Sequence, residues 1–360
     1  MKITPKSLQK CFRPELLTAL LAVLLTAGGL LAVYSVTWQE GLVRFGVQCF
    51  ALLLGLIGFI LLWRFDISRA GDLFYIILFS LTCAVLLLTV FIGEGPGNRS
   101  WIRISWLFFD IQPSEVAKVT YIVTLSRHLS RWNEHRFTWR GITLLSLHIL
   151  LPILLVLLQK DVGNAMVFAV IAVVMLFFAG LPLRFFAIGA GGCALLSPLL
   201  WYLLGSHRQE RILSGFRPYA DPLGYGWQSL AAQRAVTSGS WFGNGFLHTA
   251  LSSRIPAVHT DMIFAAICEQ FGLVGSGVIL LLLTGLCVLW IMMSRTRAPQ
   301  SALICCGGAA LIAVQTIEVA AMTLGLLPIV GVSLPFVSYG GSSLFSTYLL
   351  CGVIVGAKSK

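Results

Sequence analysis

The sequence predicts an all-α polytopic membrane protein of ten transmembrane helices, with a large extracytoplasmic loop between the seventh and the eighth. Three observations carry this. The 360 residues are 58% hydrophobic and only 11% charged. Mean hydropathy is +0.89. Apolar runs of about 18 residues or more, the length a helix needs to cross hydrocarbon, recur along the chain. Only helices and closed barrels leave no backbone amide unpaired in lipid, so the runs read as helices packed into one integral domain, residues 1–360, with residues 205–258 as its outer loop.

The apolar segments run from Glu15 to Val36, Leu42 to Trp63, Leu73 to Gly93, Pro113 to His128 and Ile142 to Leu158. They continue from Val162 to Gly180, Pro182 to Leu204, Thr260 to Met292, Ala302 to Leu326 and Leu334 to Ala357. The residues before Glu15 are too polar, and the span after them too long, for a cleaved signal peptide; the first helix is expected to stay. Loop charge sets the orientation. With the N-terminus inside, the inner loops hold Arg64, Arg69, Arg127, Arg131, Arg136, Arg140, Arg184, Arg295 and Arg297, besides the basic residues of both ends. The short outer loops hold Arg44, Arg99, Arg103 and Lys160. Both termini are therefore expected in the cytoplasm. The net charge of +11 reflects this topology and contact with anionic lipid headgroups; nothing points to nucleic acid.

Two connections break the series of helices. The segment from Gly93 to Glu115, "GEGPGNRSWIRISWLFFDIQPSE", is too aromatic for a free linker and is expected to fold back at the interface, anchored by Trp101 and Trp106. The segment from Gly205 to Val258 has turn glycines among Trp227, Trp241, Phe242 and Phe246, which favours a folded outer cap over disorder. No internal repeat is visible. The nine cysteines are odd in number and lack CxxC spacing, so they read as small core residues. The six histidines are not paired at ligand spacing, and GxxxxGK[ST], HExxH and GxSxG are all absent, which weighs against nucleotide hydrolysis and zinc peptidase chemistry.

Ionisable groups at membrane depth are expensive and default to functional candidates. Glu115 and Lys118 in "QPSEVAKV" share one helical face, as an internal ion pair or as part of a site. Asp161 in "LLQKDVGNA" stands at a helix start, as an N-cap or as a site residue. Glu318, three residues after Gln315, is interhelical glue or chemistry. Asp261 in "VHTDMIFA" stands where a polar loop becomes a span. Glu269, eight residues on, falls on the same helical face but about 12 Å along the axis, too far for a close dyad. Asp261 is the one that water and substrate reach from the outer cap. In "LPIVGVSLPFVSYGGSS", Leu327 to Ser343, the density of Pro, Gly and Ser reads either as a helix-entry turn or as a broken helix lining a cavity.

Taken together, "NRSWIRI", "IQPSEVAK", "QKDVGNA", "YADPLGYGWQS", "VHTDMIFA" and "LPFVSYGGSS" resemble the SEDS family, the RodA, FtsW and SpoVE type, in order and spacing over nearly the whole chain. The resemblance implies a ten-helix peptidoglycan glycosyltransferase. It would polymerise lipid II on the outer face of the bacterial cytoplasmic membrane, usually with a class B penicillin-binding protein, in elongation, division or sporulation. The short termini lean toward elongation. By position, Asp261 matches the family's essential outer-loop aspartate. Arg99, Gln112, Glu115, Lys118, Asp161, Ser338, Gly340, Gly341 and Ser342 fall at the implied substrate-binding positions. The chain departs from the family pattern at Lys160, where proline is usual, at Gln270, where a second glutamate is usual, and at Val319 to Ala321, where Asn-x-Gly is common.

The implied reaction joins a sugar hydroxyl of one lipid-linked disaccharide to the anomeric carbon of another and releases a polyprenyl diphosphate. Asp261 is the expected base. Arg99 and Lys118, with Arg208 or Arg211, are expected to bind diphosphate, and a divalent cation, Mg or Mn, held by a carboxylate would do the same work. Competing readings are a lipid-precursor flippase or transporter and a non-catalytic scaffold for a partner synthase. The absence of an inverted repeat and the clustering of polar motifs at the outer face weigh against a transporter, and a scaffold has no need of Asp261.

Overall fold

The computed structural model describes residues 13–95, 98–103, 110–132, 138–224 and 226–357; within them, the side chains of residues 193, 196, 200, 203, 204, 207, 208 and 211 lie outside the description. Every described element is helical, apart from two isolated bridges that fold the segment after Gly93 back on itself, Glu94 with Trp101 and Ile102 with Ile111.

The helices are α1 Pro14–Thr37, α2 Val43–Arg64, α3 Asp72–Ile92, α4 Pro113–Ser130, α5 Trp139–Leu158 and α6 Val162–Phe178. They continue with α7 Leu183–Leu204, α8 Ser206–Phe216, α9 Trp227–Gly239, α10 Ile263–Ser294, α11 Pro299–Thr323 and α12 Gly341–Gly356. Each of the ten expected apolar segments thus contains a helix. Among the described residues, six stretches are long and apolar enough to cross a membrane: Pro14–Glu40, Val43–Arg64, Asp72–Ile92, Trp139–Leu158, Ile263–Ser294 and Pro299–Thr323. Helices α6 and α12 are apolar but shorter, and α4 carries Glu115 and Lys118 in its first two turns.

Burial sorts the bundle. In α11, 72% of the most apolar window is buried, against 22% in α3 and in α5. Helix α4 is buried on nearly every side, so α4 and α11 form the axis while α3 and α5 show most of their apolar surface to lipid. Helix α3 buries only the stripe Tyr75, Thr82, Leu86 and Thr89, the spacing of one helical face. Thr82 and Thr89 return their hydroxyls to the carbonyls of Leu78 and Val85, both at 2.7 Å, so neither leaves a polar group bare in the bundle. Helices α2 and α12 pack closely because Gly352 and Gly356, four apart, lie against the backbone of Phe59 and Leu62; a Cβ on Gly356 would come within 2.3 Å of the Leu62 carbonyl oxygen.

Two elements differ from the sequence expectation, one of them in two ways. The tenth helix begins at Gly341, not Leu334, because the chain from Leu327 to Gly340 runs irregularly along the end of the bundle. The eighth begins at Ile263, so Asp261 precedes the helix, and it does not share a helical face with Glu269. Helix α10 is also broken at Gly272, whose φ of 65° is left-handed. The break frees backbone groups inside a candidate span, and the segment after α9 satisfies them. Asn244 and Gly245 donate to the carbonyls of Glu269 and Gln270 at 2.9 and 3.1 Å; Leu273 and Val274 donate to those of Ser240 and Trp241 at 2.9 and 3.1 Å. The connection between α9 and α10 is therefore folded, and it is stitched into the bundle by main chain.

A side chain at position 272 meets both obstacles at once, the left-handed φ and a Cβ 2.4 Å from the Gly243 nitrogen. Gly272→Ala is expected to destabilise the protein by about 2 kcal/mol or more. Gly277→Ala, where a Cβ meets nothing within 4 Å, is the control; thermal unfolding in detergent reads both.

Candidate functional site

At the loop end of the bundle, the chain after α3, the α5–α6 turn, the segment before α10 and the run before α12 close around a cavity of about 600 Å³. Its polar lining includes Asn98, Gln112, Lys160, Asp161, Gln228 and Asp261, and its other walls include Trp101, Ile329 to Gly331, Tyr339 and Gly340. Four of the residues singled out from sequence, Asp261, Gln112, Asp161 and Gly340, thus share one space.

Asp261 stands two residues before the first turn of α10, where the unpaired amides of a helix start favour negative charge. Opposite it lies Gly331, in a left-handed φ of 73°; a Cβ there would sit 3.6 Å from Asp261 Oδ2. The turn carrying Asp261 is held from the α12 side. Ser338 Oγ donates to the Thr260 carbonyl at 2.7 Å and accepts from Leu334 N at 2.8 Å, while Tyr339 N donates to the His259 carbonyl at 2.8 Å. Gln48 of α2 closes the clamp, donating to the Ser338 carbonyl at 3.0 Å and accepting from Gly340 N at 3.1 Å. The serine-glycine run is therefore a brace for the aspartate turn. His259, half-buried, is held below the ordinary imidazole range, chiefly by burial and then by the Arg44 guanidinium.

Behind the cavity wall is a buried network. Gln112 Nε2 donates to Asp161 Oδ2 at 3.2 Å; Asn164 donates to the same carboxylate through its side chain at 2.9 Å and its main chain at 3.2 Å. Lys118 Nζ donates to Asn164 Oδ1 at 3.0 Å and to Glu115 Oε1 at 2.8 Å. Asp161 is thus both the N-cap of α6 and a member of the wall. Burial pushes its carboxyl above the usual range, against the two Asn164 hydrogen bonds. Glu115 is 4% exposed and Lys118 not at all, so this pair does not face the cavity. Ser342 accepts from Gln112 N and donates to the Asp110 carbonyl, both at 3.0 Å, and Gly341 opens α12; both are behind the wall. Arg99 is tied by its main chain to the Gln159 carbonyl at 2.8 Å, and its side chain is exposed outside the lining. The side chains of Arg208 and Arg211, and the whole of Trp106, lie outside the described residues.

Two acids take other places. Glu269, wholly buried, accepts from the main-chain N–H groups of Leu251 and Ser252 at 2.9 and 2.8 Å. The neighbouring Gln270 donates to Ser35 Oγ at 2.9 Å and accepts from Leu247 N at 3.1 Å, so this pair fastens the α9–α10 connection to the bundle. Glu318 is 3% exposed, and neither carboxylate oxygen has a hydrogen-bond partner among the described residues. Sequence reasoning missed Lys160 as a lining residue, together with Gln48, Asn164 and Gly331. From sequence Lys160 stands out only as a loop charge and as the residue where proline is usual; its φ of 63° is one that no proline adopts, and it is exposed at the cavity wall.

A helical membrane bundle with a carboxylate-bearing cavity at one end defines a class of integral membrane protein. The comparisons give its family. The family model FTSW_RODA_SPOVE, cell cycle protein, matches residues 15–360. The probable peptidoglycan glycosyltransferase FtsW of Geobacter metallireducens is 31% identical over 98% of this chain and 97% of its own. The peptidoglycan glycosyltransferase MrdB of Escherichia coli is 33% identical over 76% and 75%. A structure described as the structural coordination of polymerization and crosslinking by a peptidoglycan synthase complex superposes with a TM-score of 0.80 at 29% identity, covering 94% of this chain and 96% of that one. The rod shape determining protein RodA of Thermus thermophilus gives 0.68 at 26% identity, with 94% of each chain covered. The chain belongs to the FtsW/RodA/SpoVE family.

Removing one partner of a buried ion pair strands the other. Lys118→Met is expected to cost about 3–5 kcal/mol by leaving Glu115 uncompensated. The double variant Glu115→Gln/Lys118→Met is expected to recover much of the loss, as measured by thermal unfolding.

Proposed function

We propose that this chain is a peptidoglycan glycosyltransferase that polymerises lipid II at the outer face of the bacterial cytoplasmic membrane, with Asp261 as general base. The observation that carries the proposal is the position of Asp261, on the wall of a cavity of about 600 Å³ at the head of a span. Family membership and the printed activities of the FtsW and MrdB relatives support it. In this reading all ten helices of the apolar segments cross the bilayer as one integral domain, both termini are cytoplasmic, and residues 205–258 lie outside. The partner is a class B penicillin-binding protein, a choice supported by the similarity to a peptidoglycan synthase complex.

The chemistry follows from the lining. Asp261 takes the proton of the acceptor sugar hydroxyl as that oxygen attacks the anomeric carbon of the second disaccharide. The bond from that carbon to the diphosphate breaks, and the electron pair leaves with the polyprenyl diphosphate. Among the described residues, the only Lys or Arg on the wall is Lys160, so its ammonium is the charge that meets the leaving group. Lys118 acts one layer back, holding Asn164 and through it Asp161. Gln112, Ser338, Gly340, Gly341 and Ser342 shape the wall or brace it, and Arg99 meets the headgroup outside the cavity.

No three His, Cys, Asp or Glu side chains gather as a metal cage among the described residues, so a resident ion held by protein alone does not fit. A Mg²⁺ or Mn²⁺ carried by the diphosphate would fit, since such ions are bound by one or two carboxylates plus substrate phosphates; with Asp261 as base, the wall carboxylate left to hold the ion is Asp161. It would supply further positive charge to the leaving group.

A flippase needs a polar path across the bundle. The break in α10 is filled by main chain, and Glu318 is sealed in, which favours the enzyme.

Asp261→Ala is expected to fold and insert normally and to form no glycan from purified lipid II; polymerisation that persists removes the base assignment. Lys160→Asn keeps a residue that tolerates a left-handed φ while removing the charge. It is expected to raise KM about tenfold, the loss of one charge-assisted contact, with Lys160→Arg close to wild type in the same assay.

A further inference from the structure

Beside the Asp261 cavity lies a second one, of about 430 Å³. Trp38, Gln39, Arg44, Ser253, Arg254 and His259 are among the residues lining it, and Pro256 and Ala257 belong to the walls of both. One turn therefore separates the two spaces. Ala257 in that turn has a left-handed φ of 54°, a conformation that a residue with a Cβ keeps only where its surroundings hold it. They do so here. Gln228 Nε2 donates to the Pro256 carbonyl at 3.1 Å, Thr260 N to the Ala257 carbonyl at 3.0 Å, and Tyr339 N to the His259 carbonyl at 2.8 Å. The His259 and Tyr339 rings meet edge to face, 5.4 Å apart, across the same partition. Gln228 and Tyr339 face the first cavity and His259 the second.

The second cavity has different chemistry from the first. It contains neither Asp261 nor Asp161; the one acid in its lining among the described residues, Glu40, is ion-paired with Arg44, which lines it too. Its lining combines hydroxyls, a carboxamide and the exposed guanidinium of Arg254 with the indole of Trp38, itself 44% exposed. A lipid tail has no use for such donors. A sugar ring does: its C–H face lies on an aromatic ring, and its hydroxyl edge meets planar, multiply donating groups. The volume falls within the roughly 300–1,000 Å³ of small-molecule sites.

We propose that this cavity is a saccharide subsite that grips the growing glycan and sets how many couplings a strand undergoes before release. The inference rests on the glycosyltransferase reading above. After each coupling the Asp261 cavity must discharge its diphosphate and admit new substrate. A strand held only there is free to dissociate as the cavity empties of the cleaved diphosphate; a grip across the Pro256 to His259 turn keeps its sugars beside Asp261 while the first cavity refills.

The test uses the full chain with its partner synthase in proteoliposomes, supplied with purified lipid II, and reads both the rate of the first coupling and the length of the strands. Trp38→Ala and Arg254→Gln are each expected to shorten the mean strand about fivefold, the loss of one contact, while the first coupling stays within about twofold of wild type and Trp38→Phe restores length. Unchanged strand lengths overturn the proposal, as does an equal loss of first coupling and length, which makes the cavity part of the catalytic centre or the fold. Repeating the assay with lipid-linked disaccharide lacking its stem peptide separates sugar from peptide: the same shortening supports the saccharide subsite, and its disappearance overturns it in favour of a peptide pocket. Wild-type protein that forms no polymer overturns both readings together, whereas normal wild-type polymer with unaltered variants overturns this one alone.

Discussion

Hydrocarbon offers no hydrogen-bond partner, so irregular backbone survives near membrane depth only where protein supplies one. That constraint governs the loop end of this molecule. Helix α10 breaks at Gly272, and four main-chain hydrogen bonds from residues 240–245 close the gap. The chain before α12 runs irregularly for more than ten residues, and Gln48, Ser338 and Tyr339 satisfy its polar groups or use them to hold the turn before Asp261. The α9–α10 connection and the serine-glycine run are thus fixed because leaving their amides bare would cost several kcal/mol each.

The cavity inherits its rigidity from this arrangement. Asp261 sits on a short turn ahead of α10, and the two residues before it, His259 and Thr260, are pinned by Tyr339 and Ser338 of the run before α12, which Gln48 of α2 holds in turn. Asp161 is fixed by a different route, through Asn164 and Lys118 to the axis helix α4. A substrate divided between lipid tail and polar headgroup suits such a site, since reacting groups gain most when held in place by elements that do not move.

The buried charges show why depth alone is a poor guide to chemistry. Lys118, Glu115, Glu269 and Glu318 are all buried and none lines the cavity, whereas Asp161, as buried as Glu115, does. Glu269 spends its carboxylate on two main-chain donors, which makes it a fastener. Lys160, exposed on a turn with a left-handed φ, is the one cation on the wall among the described residues.

The sequence by itself determined where helices form, because an apolar run of sufficient length has no other stable state in lipid. It also singled out Asp261, because a carboxylate at the join of loop and span is costly enough to need a reason. Which groups share the cavity was decided only by tertiary structure. Helical spacing put Asp261 and Glu269 on one face, but α10 begins after the first and the α9–α10 connection claims the second. Spacing matched Glu115 to Lys118, yet could not say that packing of α4 against α6 and α11 would bury the pair, or that Lys160, at a left-handed φ, would stand exposed at the wall. Periodicity reports the face of one helix; the neighbour that covers that face comes from chain distant in sequence.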